Sequence, residues 1–281
     1  MAVTIQHVCQ TLGELAPLSL AEPWDNVGLL VGDRRASVER VMVCLTVIPA
    51  VVAEAIERRA ELIVSHHPLP FKPLARITRD TVAGSMLLDL IGGGVAVYSA
   101  HTAWDSAVDG INQQLADALR LSDVAALQSP VEPIPGGQGV AKGAVDSGRP
   151  AAIEGAGRYG RIREGTTLGQ VAERVAAKTS AEGVRLVGAG EQLVRKVALA
   201  CGSGGGFLDA AVRRGCNAMV TGEATFHTCL DAESRGVGLI LLGHYASERF
   251  AMEELAGRLA ALHGELAVWA SDRDRDPIHS I

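Results

Sequence analysis

The sequence predicts an α/β protein, and three observations lead there. Short apolar, β-branched runs alternate with segments of helical period along most of the chain. Residues 38–47, 49–59 and 61–65 read as strand, helix and strand, the spacing of a parallel βαβ crossover. Several of the apolar runs empty into His, Asp or Glu, and open α/β sheets gather their ligands at the carboxyl ends of strands.

Bulk properties narrow the classes. A chain of 281 residues can bury a substantial core in one or two domains. The net charge of -6 argues against a surface that coats nucleic acid, and an aromatic content of 4% is poor material for a single-strand platform. The five cysteines, Cys9, Cys44, Cys201, Cys216 and Cys229, are odd in number and form no CxxC, so a reducing compartment fits better than a disulfide framework. The N-terminus lacks a basic region followed by an apolar core, and no apolar stretch is long enough to span a bilayer. The expectation is a cytoplasmic protein with no membrane association.

Taken in order, Thr4 caps a helix whose face is Ile5, Val8, Leu12 and Leu15, and Pro17 stops it. Glu22-Pro23-Trp24-Asp25-Asn26 is a turn signature, in which Asp and Asn bond to their own backbone. Trp24 reads there as a core anchor, with a pocket wall beside a metal site as the functional alternative. The strand at 38–47 leads to a helix with Pro49 in its first turn, and the strand at 61–65 delivers His66-His67-Pro68. Neighbouring side chains on a strand point to opposite faces, so both imidazoles share a pocket only if the strand stops at or just before them. Pro68 and Pro70 favour that stop.

A helix at 80–90, broken by Gly92-Gly93-Gly94, precedes a strand at 95–98 that empties into His101, Thr102 and Asp105. A helix beginning after Asp109-Gly110 runs to Leu119. Over 127–166 the pattern weakens, punctuated by Pro130, Pro133, Gly136, Gly143 and Gly148, as at a domain boundary with irregular β structure inside it. Beyond it come a helix at 168–177 capped by Thr167, strands at 184–187 and 194–200, and the turn Cys201-Gly202-Ser203-Gly204-Gly205-Gly206. That turn serves either close helix–sheet packing or an anion at a helix start, and Cys201 reads as an inert thiol. A strand at 218–221 ends at Glu223, and one at 237–242 ends at His244. His244 and Glu248 are four apart and share a face if the segment from Tyr245 is helical. A last strand covers 265–270. The organisation expected is a first α/β lobe at 1–127, a middle α+β segment at 128–190 and a C-terminal α/β segment at 191–281 that completes the site.

His66, His67, Asp105, His244 and Glu248 thus lie at strand ends or just beyond. Three imidazoles and two carboxylates exceed one ordinary site and suit two ions held as in two-metal hydrolases. His101 and Glu223 occupy equivalent rim positions and are the candidates for proton transfer. Mixed N and O donors leave the metal open among Zn, Fe, Mn, Co and Ni.

The blocks Glu22-Pro23-Trp24-Asp25-Asn26-Val27-Gly28-Leu29, Ser65-His66-His67-Pro68, His101-Thr102-x-x-Asp105, Cys201-Gly202-Ser203-Gly204-Gly205, Thr221-Gly222-Glu223, Gly243-His244-x-x-Ser247-Glu248 and Asp274-Arg275-Asp276-Pro277 together resemble the NIF3-like family of GTP cyclohydrolase 1 type 2 homologues. The resemblance implies an α/β three-layer fold of two intertwined lobes with a dinuclear metal site between them. It also implies a homohexamer built as a trimer of dimers. Carried over by match, one cation takes His67 and Asp105, the other His66 and His244, and Glu248 bridges both. The activity implied is metal-dependent hydrolysis of a nucleotide or similar small molecule. A metal-dependent phosphoesterase is the rival enzyme, and a non-enzymatic metal-binding scaffold or regulatory protein the rival outside enzymes. Nucleic-acid binding is the least favoured class.

Overall fold

A computed structural model of the chain describes residues 2–129 and 153–279. In chain order the elements are α1 (Ile5–Leu15), β1 (Gly28–Val31), β2 (Arg40–Cys44), α2 (Pro49–Glu57), β3 (Leu62–Ser65), α3 (Val82–Gly92), β4 (Ala96–Ser99), α4 (His101–Ser106), α5 (Ile111–Ala118), β5 (Ser122–Gln128), β6 (Ala156–Arg161), α6 (Leu168–Thr179), β7 (Arg185–Val187), β8 (Lys196–Ala200), α7 (Leu208–Arg213), β9 (Ala218–Thr221), α8 (Phe226–Ser234), β10 (Gly238–Leu241), α9 (His244–Leu262) and β11 (Ala267–Ala270). Most match the periodicity reading to within a few residues. Pro130, Pro133, Gly136, Gly143 and Gly148, the punctuation expected of a boundary, lie outside the described residues.

Two units emerge, and they do not follow chain order. The first combines Met1–Trp104 with Ala251–Pro277, and the second is built from Asp105–Phe250. The passage from one unit to the other falls inside α4 and again inside α9. A reading that divides the chain at 127 and 190 follows the loss of pattern along the sequence, whereas compaction follows strand pairing.

In the first unit the sheet order is β1-β4-β3-β2-β11. All pairs are parallel except β1 against β4. Val43 stands opposite Val64, and Val64 opposite Tyr98, so the central strands end in register. One apolar cluster joins Met42, Ile63 and Val97 of the sheet to Val51 and Ala55 of α2 and Leu87 and Leu90 of α3. Helix α1 buries Ile5, Val8 and Leu12, each contributing about 1.5–3 kcal/mol in apolar burial. The Thr4 N–H at its start donates to His7 Nδ1 at 3.2 Å.

The C-terminal return is anchored by one carboxylate. Glu54 on α2 is buried, and it accepts from the Ser271 hydroxyl at 2.6 Å, the N–H groups of Asp272 and Arg273 at 3.2 and 3.1 Å, and Trp269 Nε1 at 3.3 Å. Burial raises its pKa, but these donors outweigh that and hold it below the ordinary value.

The second unit has the sheet order β5-β6-β8-β9-β10-β7, parallel only across β8, β9 and β10. One face packs Val197, Leu199, Val220 and Ile240 against α5 and α6 through Leu115, Val171 and Val175. The other packs Ala198, Met219, Leu239 and Leu241 against α7 and α8 through Leu208, Ala211 and Ala232. This is a helix–sheet–helix sandwich, with alternate residues of each strand serving opposite faces. Thr167 caps α6 through the Gln170 N–H, and the Gln170 side chain accepts in return from the Thr167 N–H.

Three strands depart from the sequence reading. β1 is a four-residue antiparallel edge with a register shift, too short to show alternation. β5 also shifts register, between Ser122 and Ala125. β6 is Ala-Gly-Arg-Tyr-Gly-Arg, a loop-like composition. It forms a strand because Gly157 and Gly160 admit a close approach: a Cβ at Gly157 would lie 2.7 Å from the Leu199 carbonyl oxygen. Its Arg158 is fully buried and satisfied by carbonyl groups. The segment 101–106, read from sequence only as a polar strand end, is the short helix α4. No helix among the described residues is long and apolar enough to cross a membrane.

Candidate metal centre

Strand β3 ends at Ser65, as two histidines on one pocket require, yet the ladder runs on. The His66 N–H donates to the Cys44 carbonyl at 3.0 Å and the His67 N–H to the Leu45 carbonyl at 2.8 Å. These bonds fix the backbone on which the imidazoles stand, and the Ser99 hydroxyl adds a third by donating to the His66 carbonyl at 2.6 Å. His101 comes from the neighbouring strand end, at the start of α4, with a φ of +28°. A non-glycine residue in that region carries backbone strain, and such strain concentrates at functional positions.

His66, His67 and His101 form one group, a ring nitrogen of each lying within 4.8 Å of the others. Their ring centroids are 5.1, 5.2 and 5.5 Å apart. His101, a candidate for proton transfer in the sequence reading, therefore stands among potential ligands.

Asp25 explains how His101 is held. Its carboxylate is fully buried, meets His101 Nδ1 at 2.8 Å, and accepts from the Thr102 N–H at 3.1 Å and hydroxyl at 2.5 Å. Burial pushes the Asp25 pKa up, but the bonds from His101 and Thr102 prevail and hold it below the ordinary range. An ionised carboxylate only accepts, so Nδ1 of His101 carries a proton and Nε2 is the ring nitrogen left for a cation. His67 Nδ1 has a neutral partner, the Thr46 hydroxyl at 2.7 Å. Donor chemistry fits a divalent transition ion. The sequence reading treated Asp25 as a turn former, and its contacts with His101 and Thr102, more than seventy positions away, left no local signal.

The remaining predicted residues belong to the second unit. Helix α9 starts at His244, so His244 and Glu248 share a face, and Nε2 lies 3.2 Å from Glu248 Oε2. His244 Nδ1 faces Glu223 Oε2 at 3.4 Å. The bond to Glu248 is the main reason that the His244 pKa is raised to about 9, with Glu223 adding to it against desolvation. Both ring nitrogens therefore hold protons at neutral pH, and a cation at Nε2 must displace one.

Asp105 is tied down by two bonds, and the turn after it by a third residue. Asn112 Nδ2 donates to its carbonyl at 3.1 Å, and the Cys201 thiol donates to its Oδ1 at 3.3 Å. Arg158 reaches the next turn, donating from Nη2 to the carbonyls of Ser106 and Ala107 at 3.3 and 2.5 Å. From Nη1 it donates to Gly155 and Gly157, both at 2.7 Å. Burial lowers the Arg158 pKa to about 10, which still leaves it charged at neutral pH. Burial, and then the charges of Asp105 and Glu248, push the Cys201 pKa well up, so it is a thiol and no ready nucleophile.

The glycine-rich turn serves packing. A Cβ at Gly202 would lie 2.1 Å from Glu248 Oε1, and one at Gly204 2.6 Å from the Ala200 Cβ. The N–H of Gly202 donates to Ser247 Oγ at 2.9 Å and that of Gly205 to the Glu223 carbonyl at 3.2 Å, so neither is directed at an anion. Trp24 is 60% exposed, which overturns its reading as a core anchor.

Ligand by ligand, the first unit holds His66, His67 and His101, and the second holds Asp105, His244, Glu248 and Glu223. Fold and side chains define an α/β protein whose parallel strands end in His and Glu residues that could hold a metal ion. The chain belongs to the DUF34/NIF3 (NGG1p interacting factor 3) family, whose model matches residues 3–277. It is 31% identical over 266 residues to the GTP cyclohydrolase 1 type 2 homolog of Clostridium acetobutylicum, covering 94% of this chain and 92% of that protein. It is 32% identical to NIF3-like protein 1 of Drosophila melanogaster, covering 98% and 88% of the two. Among solved structures, a Staphylococcus aureus hypothetical protein superposes with a TM-score of 0.84 at 28% identity over the full length of both chains. A Bacillus cereus protein related to NIF3 does so with a TM-score of 0.85 at 24% identity, over 100% of this chain and 99% of the other, a likeness of fold.

Proposed function

We propose that the protein is a dinuclear metal-dependent hydrolase of the GTP cyclohydrolase 1 type 2/NIF3 kind, acting on a nucleotide or similar small molecule. The observation that carries this reading is the group of three imidazoles at adjacent strand ends, one of them held by Asp25 at Nδ1 with Nε2 left for a cation. The names of the relatives support the reaction class. In this reading His67 and Asp105 would hold one divalent cation, His66 and His244 the other, and Glu248 would serve both. Two divalent cations, when bound, would supply Lewis acidity for hydrolysis near neutral pH and positive charge opposite a developing anion.

The chain's own residues do the rest. Asp25 orients the His101 ring and balances its charge, which lets His101 accept or return a proton at Nε2. Glu223 takes up the same position toward His244 Nδ1 and is the second proton-transfer candidate. Cys201 holds the Asp105 carboxylate, while Asn112 fixes the Asp105 carbonyl and Arg158 the carbonyls of the turn after it. The assembly proposed is a homohexamer, a trimer of dimers, which light scattering measures directly.

The test is metal analysis of protein purified without added metal, paired with a turnover screen over nucleotides and phosphoesters and a His67→Ala control. Glu248→Ala should lower occupancy of both cations, and Asp105→Ala mainly one. Equal losses in the two variants contradict the bridging role, and activity indifferent to His67→Ala removes the site from the mechanism. Metal at full occupancy without turnover of any compound moves the assignment to a metal-binding scaffold.

A further inference from the structure

Two aromatic side chains stand in the open beside the histidine group. Trp24 is 60% exposed and Phe71 50%. They come from different loops, one before β1 and the other after β3. Their ring centroids are 6.1 Å apart, and each lies 6.0 Å from the His101 ring, which meets both edge-on. Leaving two large apolar rings in water contributes nothing to the fold, since burial is what makes such rings stabilising.

Nor are these rings on slack chain. The Trp24 turn is held by the buried Asp25 carboxylate, and the Glu22 N–H donates to the Thr102 hydroxyl at 2.9 Å. Asn26 Nδ2 donates to the Pro70 carbonyl at 2.7 Å, which joins the two loops directly. The aromatics are thus held at a fixed spacing, with their exposed area turned to solvent at the edge of the candidate ligand set. Rigid aromatics offered to solvent beside a reaction centre are a recognition surface for another ring.

We propose that Trp24 and Phe71 form a stacking platform for a planar heteroaromatic ring, of purine class, presented to His101 and the two histidines behind it. The pair is not a sandwich. At 6.1 Å and 49° between planes, no slot remains for a ring between them. The ligand stacks on Trp24, the more exposed ring, with Phe71 at its edge. Lys72 follows Phe71 and is exposed, so an anionic substituent such as a phosphate has a cation near the same loop. This inference rests on the proposed reaction centre, because it names the part of the substrate that the centre's rim would recognise.

Guanosine monophosphate is the probe, and ribose 5-phosphate, the same molecule without its ring, is the control. Trp104 is buried and Trp269 partly so, which makes Trp24 emission the one most open to quenching by a stacked base. Saturable quenching by guanosine monophosphate but not by ribose 5-phosphate is expected. By calorimetry, Trp24→Ala and Phe71→Ala should each weaken the nucleotide about tenfold, and Trp24→Phe should retain most of the affinity. Metal content should stay at the parent level in all three variants.

Unchanged nucleotide affinity in Trp24→Ala overturns the platform, as does equal binding of ribose 5-phosphate by the parent protein. A change of oligomeric state in Trp24→Ala, seen by light scattering, overturns it too, because the patch is then a contact between copies of the chain. The underlying reading fails separately. If His67→Ala keeps its metal while Trp24→Ala loses the nucleotide, the platform stands and the metal centre falls.

Discussion

In the first unit three imidazoles stand together, and the Asp25 carboxylate sits behind His101 at 2.8 Å. In the second unit a single imidazole, His244, lies between Glu248 and Glu223, while Asp105 takes a proton donor from the Cys201 thiol. The first set presents three imidazoles, and its anion is fully buried in a supporting position. The second presents negative charge and neutralises it internally with protons. A cation that reaches His244 must evict a proton, whereas the first set is braced by a buried carboxylate behind His101. The comparison teaches that the two sets differ less in donor count than in what holds them ready.

The largest effect should come from what steadies the second set. Arg158→Met removes a buried guanidinium that satisfies four carbonyl groups and leaves those acceptors without their donor, a loss of about 3 kcal/mol in stability. Thermal melting reads it directly. A melting temperature equal to the parent's would mean that the carbonyls find other donors and that Arg158 is dispensable.

The support for the first set comes next. Asp25→Asn keeps the shape but trades a carboxylate for an amide, so His101 loses the partner that fixes its tautomer. Metal affinity measured against a chelator should fall about 10–100-fold. Glu223→Gln makes the analogous change at a longer 3.4 Å contact on a more exposed side chain, and a few-fold change is expected there. Equal losses in both variants would erase the distinction between a buried and an open supporting carboxylate.

Proton eviction gives the smallest and most graded signal. The His244 pKa lies near 9, above its ordinary 6.5, chiefly through Glu248. In metal-free protein the stability from this pairing is complete below about pH 6.5 and disappears as pH rises through about 9. Metal uptake runs the opposite way, since the cation competes with that proton. Zinc affinity should rise with pH up to about 9, by at most about tenfold per pH unit, and calorimetry in buffers of different ionisation heat should show proton release. An affinity that ignores pH over this window would show that the second set binds without losing a proton.

Much of this was legible in the sequence where local rules decide. The parallel strands β2, β3, β8, β9 and β10 are short apolar runs bounded by turn residues, and the helices carry their period, with caps at Thr4 and Thr167. The i, i+4 pairing of His244 with Glu248 and the strand-end placement of His66 and His67 follow from the same rules. What stayed hidden depends on partners distant in sequence. β6 looks like a loop because its arginine and glycines make sense only beside the carbonyls and strands they meet. Asp25 looks like a turn residue because His101 is far along the chain. The place of β11 in the first sheet is set by Glu54, whose four donors from the C-terminal segment no window on the sequence contains.

Gly202 carries one more consequence. Its missing side chain leaves the space into which the Glu248 carboxylate extends, and even a methyl group there would stand 2.1 Å from that oxygen. Alanine, the mildest exchange on any similarity scale, is therefore a harsh one at this position. A survey of tolerated substitutions would rank Gly202 beside the acid it accommodates, although it offers a cation no donor atom. Vacant volume, as much as any ligating group, is part of what inheritance has to preserve here.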